Sequence, residues 1–593
     1  MATDGADAMH AGGHRDPTRA PEARADDLLG RLTLEEKAGL LFHTGVNAPP
    51  GEGVGAEAEA LILGRRLRHL NVMAGPTDAR AFARWHNALQ ALALGQGHGI
   101  PLTLSSDPRH AFTDNPAAAL TSPFFSKWPE AIGLGAIGDE RQVRVFADIV
   151  RQEYVAVGLR TALHPQADIA TEPRWARIAG TFGEEPGLVS RLTAAYVSGL
   201  QADRRGNAWV SAMVKHFPGG GPQRDGEDPH FAYGREQVYP GGRLSDHLRP
   251  FEAAIAAGVR QVMPSYGMPV GTALEPVGFA FNREVVTTLL RQHLGFDGIV
   301  CTDWGLVTDA EVAGDRLPAR AWGVEDLDRP ARVLRLLEAG VDQLGGEACP
   351  EIVVALVRAG RLSEARIDLS VRRLLREKFA LGLFALPFVD ADAAGRIAGA
   401  PAFRRAGEAA QRASITLLRQ MRTGADSLLP LRRGSRVYSE GLGAEATGAY
   451  ARPVLSPEEA DIAIVRLAAP YEPRAHGLER HFHAGSLAFG EDLVRHLEAV
   501  ARAVPTVVVV HLDRPAVLTP ILPHAAALLA DFGAADEAVL DVLFGAARPR
   551  GRLPFDLPSS LASVREGRSD VPFDRAEPLF RFGFGLAYED GDR

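Results

Sequence analysis

The segment Gly298-Ile-Val-Cys-Thr-Asp303-Trp304-Gly305 constrains the fold most, because an apolar, β-branched run stops on a carboxylate followed by an indole. A run of that kind reads as a buried strand that carries one acid to a pocket. Trp209-Val-Ser-Ala-Met-Val-Lys215-His216-Phe217-Pro218-Gly219-Gly220 ends in the same way on a cation and an imidazole. Ile100 to Leu104 leads to Asp107, Leu159 to Leu163 leads to His164 and Asp168, Gln261-Val-Met-Pro-Ser leads to Tyr266, and Ala339-Gly-Val341 leads to Asp342. Stretches with helical spacing separate these runs. One such strand end would be an ordinary capped loop, but six in order point to a shared site. The pattern predicts an α/β fold built on a (β/α)₈ TIM-like barrel, whose pocket lies at the carboxyl ends of the strands.

At 593 residues the chain exceeds one ordinary core, so two or more domains are expected. A net charge of -9, mixed along the chain, gives no electrostatic footprint for nucleic acid or a membrane surface. No apolar run is long enough to span a bilayer. The expected partner is therefore a small, neutral or weakly polar molecule, and oligomeric state is not derivable. The 2 cysteines, Cys301 and Cys349, have neither metal-ligand nor disulfide-framework spacing, and Cys301 sits in an apolar run as a packing residue. No metal or organic cofactor is expected. Residues 1–25 are rich in Ala, Gly, Asp, Arg and His without a signal-peptide apolar core, so they read as a disordered tail and the chain as cytoplasmic.

Folded sequence begins near residue 26, where Thr33 and Glu36 have capping-box spacing ahead of a helix. Barrel units fill 26–390, an Ala- and Gly-rich linker is expected over 391–404, and a second domain over 405–593. Ile462-Ala-Ile-Val-Arg-Leu467 and Thr506-Val-Val-Val-Val-His-Leu512 are continuous apolar runs suited to strands covered on both faces, which predicts a smaller three-layer α/β sandwich. Gly219-Gly220-Gly221 lacks the Gly-Lys-Ser/Thr of a phosphate loop and is better read as a bend that turns Lys215 and His216 toward a ligand.

Several motifs in order carry a resemblance: Pro173-Arg174-Trp175-Ala176-Arg177, Thr181-Phe-Gly-Glu-Glu-Pro186, Lys215-His216-Phe-Pro-Gly, Thr302-Asp303-Trp304-Gly305, Leu428-Leu-Pro-Leu431, Gly551-Arg-Leu-Pro-Phe and Pro578-Leu-Phe-Arg-Phe-Gly-Phe-Gly-Leu586. Together they resemble the family 3 glycoside hydrolases, most of all bacterial two-domain β-glucosidases, over about residues 26–588 and without the fibronectin-like domain common there. The resemblance implies a retaining exo-β-glycosidase acting on small β-glycosides through a covalent glycosyl-Asp303 intermediate. β-Glucosidase activity leads; β-xylosidase and β-N-acetylhexosaminidase are the alternatives within the family, and a catalytically silent sugar-binding protein is the alternative of another class.

Retention needs a nucleophile and a proton shuttle. By family position Asp303 is the nucleophile, Asp107, Arg177, Lys215 and His216 bind the sugar, Trp304 offers an apolar face, and Tyr266 orients Asp303. Asp168 and Arg174 read as supports for neighbouring loops, and Arg109 and His110 as either subsite groups or partners of nearby acids. The shuttle is where the chain departs from the pattern. Family members of this architecture place a Glu in a second-domain loop, and the matching position here is Ala468 in Leu467-Ala-Ala-Pro-Tyr-Glu472-Pro473. Glu472 is the first candidate and Glu479 the second. Asp228-Pro229-His230 matches the Asp-x-His shuttle of another branch, offset by two residues, and ranks below them. Ala176 and Gly180 also replace residues that are commonly Gly and Glu.

Overall fold

A computed structural model describes residues 13–588 apart from 52, 115–119, 202–208, 313, 424–425 and 476. Eight parallel strands form the first sheet: β1 (Phe42–Val46), β2 (His69–Val72), β3 (Thr103–Ser106), β4 (Leu159–Ala162), β5 (Ser211–Phe217), β6 (Gln261–Pro264), β7 (Ile299–Val300) and β8 (Leu344–Gly345). They follow one another in chain order, and β8 pairs back onto β1 through Phe42–Leu344 and His43–Gly345. The remaining seam is joined by a parallel bridge between Cys301 and Gln343 and by the Thr302 amide donating to Gln343 O at 2.9 Å. Buried Cys301 is thus a packing residue at the barrel seam.

Helices cover the barrel because their sequences start and stop them cleanly. Asp78, Asp139 and Asp328 accept first-turn amides of helices Ala79–Leu94, Glu140–Val157 and Arg329–Ala339. Gly158 and Gly340 end the last two in the left-handed conformation. The Thr33–Glu36 capping box forms as its spacing predicts.

Two expectations about the termini of the barrel need correction. Residues 1–12 lie outside the described residues, but 13–25 are not a tail: Pro21–Leu29 is a helix, and Arg24, stacked 4.3 Å from the Phe379 ring centroid, donates to His14 O at 2.7 Å. The linker expected over 391–404 is helical instead, with Ala391–Ile397 capped by Asp390 and Pro401–Ser414 starting at a proline. Alanine-rich sequence favours helix when neighbours bury one face, and Ala394 and Ala410 are buried here.

The second sheet has six strands: β9 (Thr416–Gln420), β10 (Arg436–Glu440), β11 (Arg452–Pro453), β12 (Ile462–Ala468), β13 (Thr506–His511) and β14 (Ala527–Asp531). Their order is β9-β14-β13-β12-β10-β11, all parallel except β9. Alternation along β13 sends Val508 and Val510 to one face and Val507 and Val509 to the other, which gives the three layers. The first face includes Ile132, Trp175 and Ile178 of the barrel, so one apolar cluster joins the two domains. Buried Arg575 fastens the C-terminal segment to the barrel, donating to Glu184 at 3.1 Å and to Thr171 O at 2.7 Å.

Candidate active site

Asp303 emerges directly after β7 and is 8% exposed. Its Oδ1 accepts the Trp304 amide at 2.8 Å. Tyr266, just past β6, clamps the same turn: its hydroxyl donates to Trp304 O at 2.7 Å and accepts the Trp304 amide at 2.9 Å. Burial together with the Asp303 charge pushes the phenol well above its ordinary range. Tyr266 is therefore a fixed neutral donor.

The end of β5 supplies the cation and the imidazole. Lys215 Nζ donates to Asp107 Oδ1 at 2.9 Å, and Asn71 from β2 reaches Asp107 Oδ2 at 3.5 Å. Burial alone would raise the Asp107 carboxyl, but Lys215 overrides it and holds the group below its ordinary value. His216 Nδ1 lies 2.7 Å from Asp168 Oδ2, and its Nε2 accepts from Arg177 at 3.0 Å. Burial and the Arg177 guanidinium push this imidazole down, which fits a neutral ring donating at Nδ1. Asp168 also takes the His216 and Gly220 amides. The glycines allow that approach: Gly219 has φ +124°, and a Cβ on Gly221 would lie 1.9 Å from Ile169 O.

Asp107, Arg177, Lys215, His216, Tyr266, Asp303 and Trp304 all line one cavity of about 210 Å³ at the barrel mouth. His216 Nε2 is 3.8 Å from Asp303 Oδ2. Asn71, Arg320 and His230 line it too. Asn71 and Arg320 were not singled out from the sequence: Asn71 sits in a strand with buried polar residues, and Arg320 comes from the loop after β7, where spacing carries no signal.

Neither glutamate expected as the shuttle lines this cavity. Glu472 turns into its own loop, accepting the Ser486 amide at 3.1 Å. Arg514 causes this by gathering the carbonyls of Pro470 at 2.6 Å and Gly485 at 3.2 Å while holding Arg174 O of the barrel at 2.8 Å. Glu479 hydrogen-bonds Tyr233 instead. Their neighbours do reach the mouth: Leu478 lines the cavity, and Phe482 packs 5.2 Å from the His230 ring.

The group that does face the cavity is His230. Its Nδ1 lies 2.6 Å from Asp228 Oδ1, and its ring meets Tyr266 edge-on at 4.7 Å. Asp228 is 2% exposed and also accepts Trp175 Nε1 at 2.9 Å. Despite burial, His230 and Arg177 hold its carboxyl down at about 2. Arg109 and His110 belong elsewhere: Arg109 donates to Ser106 and Ser122, and His110 pairs with buried Glu153 at 2.9 Å. Arg174 pairs with Glu172 at 2.8 Å and supports its own loop.

A buried carboxylate at a barrel strand end, a second-domain loop over the mouth, and cationic and imidazole groups converging on one pocket define a two-domain glycoside hydrolase. The N terminal domain of glycosyl hydrolase family 3 matches residues 75–377 and its C-terminal domain residues 326–588. The chain belongs to that family. It is 49% identical to Beta-glucosidase C of Emericella nidulans, covering 96% of this chain and 93% of the relative. It is 41% identical to a periplasmic beta-glucosidase/beta-xylosidase of Dickeya chrysanthemi, covering 96% and 91%. Among solved structures, a b-glucosidase from Erythrobacter marinus superposes with TM-score 0.78 at 21% identity, covering 97% of this chain and 84% of that one. A beta-glucosidase from Listeria innocua in complex with isofagomine gives TM-score 0.75 at 22% identity, covering 95% and 83%.

Proposed function

We propose that this chain is a retaining exo-β-glucosidase in which Asp303 is the nucleophile and His230, held by Asp228, is the proton shuttle. The single observation that carries the reading is that Asp303 and His230 line the same cavity while Glu472 and Glu479 do not. Relatives named as β-glucosidases supply the substrate class: a terminal β-D-glucosyl residue on a small glycoside.

In the first step an Asp303 carboxylate oxygen attacks the anomeric carbon as the bond to the leaving oxygen breaks. Protonated His230 gives its Nε2 proton to that oxygen, and ionised Asp228 stabilises the imidazolium before the transfer and fixes the tautomer after it. In the second step neutral His230 takes a proton from water, which displaces Asp303 from the anomeric carbon and restores the starting state with retention. Lys215, Asp107, Arg177 and neutral His216 pair with sugar hydroxyls and hold the anomeric carbon over Asp303.

The test is hydrolysis of aryl β-glucosides and β-xylosides by the native chain, His230→Ala, Glu472→Ala and Glu479→Ala with added azide. Azide rescue as a β-glycosyl azide in His230→Ala alone names the shuttle. Rescue in a Glu variant instead overturns that assignment, and no turnover of any β-glycoside by the native chain overturns the hydrolytic reading.

A further inference from the structure

A second cavity, of about 370 Å³, lies at the carboxyl edge of the second sheet. It shares no lining residue with the barrel-mouth cavity; the intervening loop presents Arg177 to the first and Ala179 to the second. Its place is topologically special. The chain runs β10 to β11 on one side and then returns to lay β12, β13 and β14 on the other, so β10 and β12 are neighbours whose connections diverge. Gly441, just after β10, and Leu467 and Ala468, at the end of β12, line the cavity. The crevice outside the carboxyl ends of strands at such a switch point is where open parallel sheets bind ligands.

The wall decides what kind of ligand fits. Most of its charges are paired within the protein: Arg466 pairs with Asp531 at 3.2 Å and Asp536 at 2.7 Å, His511 with Asp531 at 3.0 Å, and His483 with Asp513 at 2.6 Å, while Glu130 takes the Thr113 amide at 2.8 Å. Hydrogen-bonding capacity is left over. Asp513 Oδ1 is buried without a partner, and the Nε2 atoms of His511 and His483 are uncommitted among the described residues. Phe112, Leu467 and Ala468 add an apolar side. An anion would meet Asp513 and Glu130, and a cation would meet Arg466 and His511. Among the described residues no group of three or more His, Cys, Asp or Glu is placed to hold a metal ion. A neutral, polyhydroxylated ring, with hydroxyls for the unpaired acceptor and imidazoles and an apolar face for the aromatic side, satisfies every part of this wall.

We propose that the cavity at the β10–β12 switch point is a second saccharide site that takes a free monosaccharide independently of the barrel mouth. This stands apart from the hydrolytic assignment, which aryl-glucoside turnover tests separately. The experiment is calorimetric titration of the full chain with D-glucose. The native chain is expected to bind at two classes of site. Ala468→Trp, which fills the second cavity, loses one class while the KM for an aryl β-glucoside stays within about twofold, because the two cavities share no lining residue. Asp513→Asn weakens the same class by about tenfold or more, since it replaces a charged acceptor with a neutral amide. A chain with Asp107→Ala and Lys215→Ala keeps only the class that Ala468→Trp removes. Unchanged isotherms in both Ala468→Trp and Asp513→Asn, or no glucose binding by the Asp107→Ala, Lys215→Ala chain, overturn the proposal. Binding of oligosaccharides but not of glucose at this site overturns it as well, because the ligand would then be the far end of a substrate. If Ala468→Trp does not fold, Asp513→Asn decides.

Discussion

His216, at the end of β5, and His230, in the loop that follows, are each held at Nδ1 by a buried aspartate, at 2.7 Å from Asp168 and 2.6 Å from Asp228. The two differ at Nε2. On His216 that nitrogen accepts the Arg177 guanidinium at 3.0 Å, and burial with the adjacent charge pushes the imidazole down. On His230 no protein donor occupies it among the described residues, and the ring lines the cavity beside Tyr266. On the proposed assignment the same kind of pair yields a committed, neutral hydroxyl partner in one place and an uncommitted proton carrier in the other. On that assignment, what would separate a binding histidine from a shuttling one is the second nitrogen's neighbour, since each has its own carboxylate at Nδ1.

Removing what both histidines serve gives the largest expected effect. Asp303→Ala lowers kcat on the order of 10⁴-fold or more for every aryl β-glucoside, as loss of a nucleophile does. Added azide is expected to restore turnover with an α-glycosyl azide as product; restored β product would mean that Asp303 is not the nucleophile. Next comes His230→Ala, with kcat down by about 10²–10⁴-fold for alkyl and phenyl glucosides. The loss shrinks strongly for a dinitrophenyl glucoside, whose leaving group needs little proton assistance. An equal loss across leaving groups would place His230 with His216 among the binding residues and dissolve the contrast. Asp168→Asn should then act through KM more than kcat, by about 10–100-fold in kcat/KM, because it leaves a buried imidazole poorly paired. A pure kcat effect with leaving-group dependence would give His216 the shuttle's role.

Much of this site was legible in the chain because strand ends write their chemistry next to apolar runs, as at Asp303 and at Lys215-His216. Strands β1 and β2 escaped the same logic. Their polar residues face a barrel interior that satisfies them: His43 Nε2 meets Ser105 at 2.7 Å, and Ser105 donates to Asn71 at 2.9 Å. A strand whose inward residues are hydrogen-bonded rather than apolar has no run to read. Strand β8 was read too early, because Ala339-Gly340-Val341 ends a helix with Gly340 at φ +109° before the strand begins at Leu344. That neither Glu472 nor Glu479 lines the cavity was illegible for a different reason. Spacing from Pro470 cannot report that Arg514 gathers the loop's carbonyls, and spacing from Lys215 cannot report the tight turn ahead of Asp228, with Asp225 at φ +55° and Gly226 at φ +74°.

A third pair sharpens the comparison from the stability side. His511 in the second domain holds Asp531 at Nδ1, as His216 holds Asp168, but no guanidinium contacts its ring among the described residues, and Asp513 and Glu130 lie nearby. Burial opposes the charge, yet Asp531 and these acids overcome it and raise the imidazole to about 9. Because the folded value lies above the unfolded value of about 6.5, the stabilisation is fully present below about pH 6.5 and disappears as pH rises through about 9. His511→Gln is thus expected to lower the unfolding free energy by about 3 kcal/mol at most near pH 6 and by little above pH 9. His216→Gln, lacking a raised imidazole, should show no such fading. Urea unfolding of both variants at pH 6 and pH 9.5 separates the cases. A His511→Gln deficit that persists undiminished at pH 9.5 would mean that the pair stabilises by packing rather than charge, and the three histidines would then differ only in exposure.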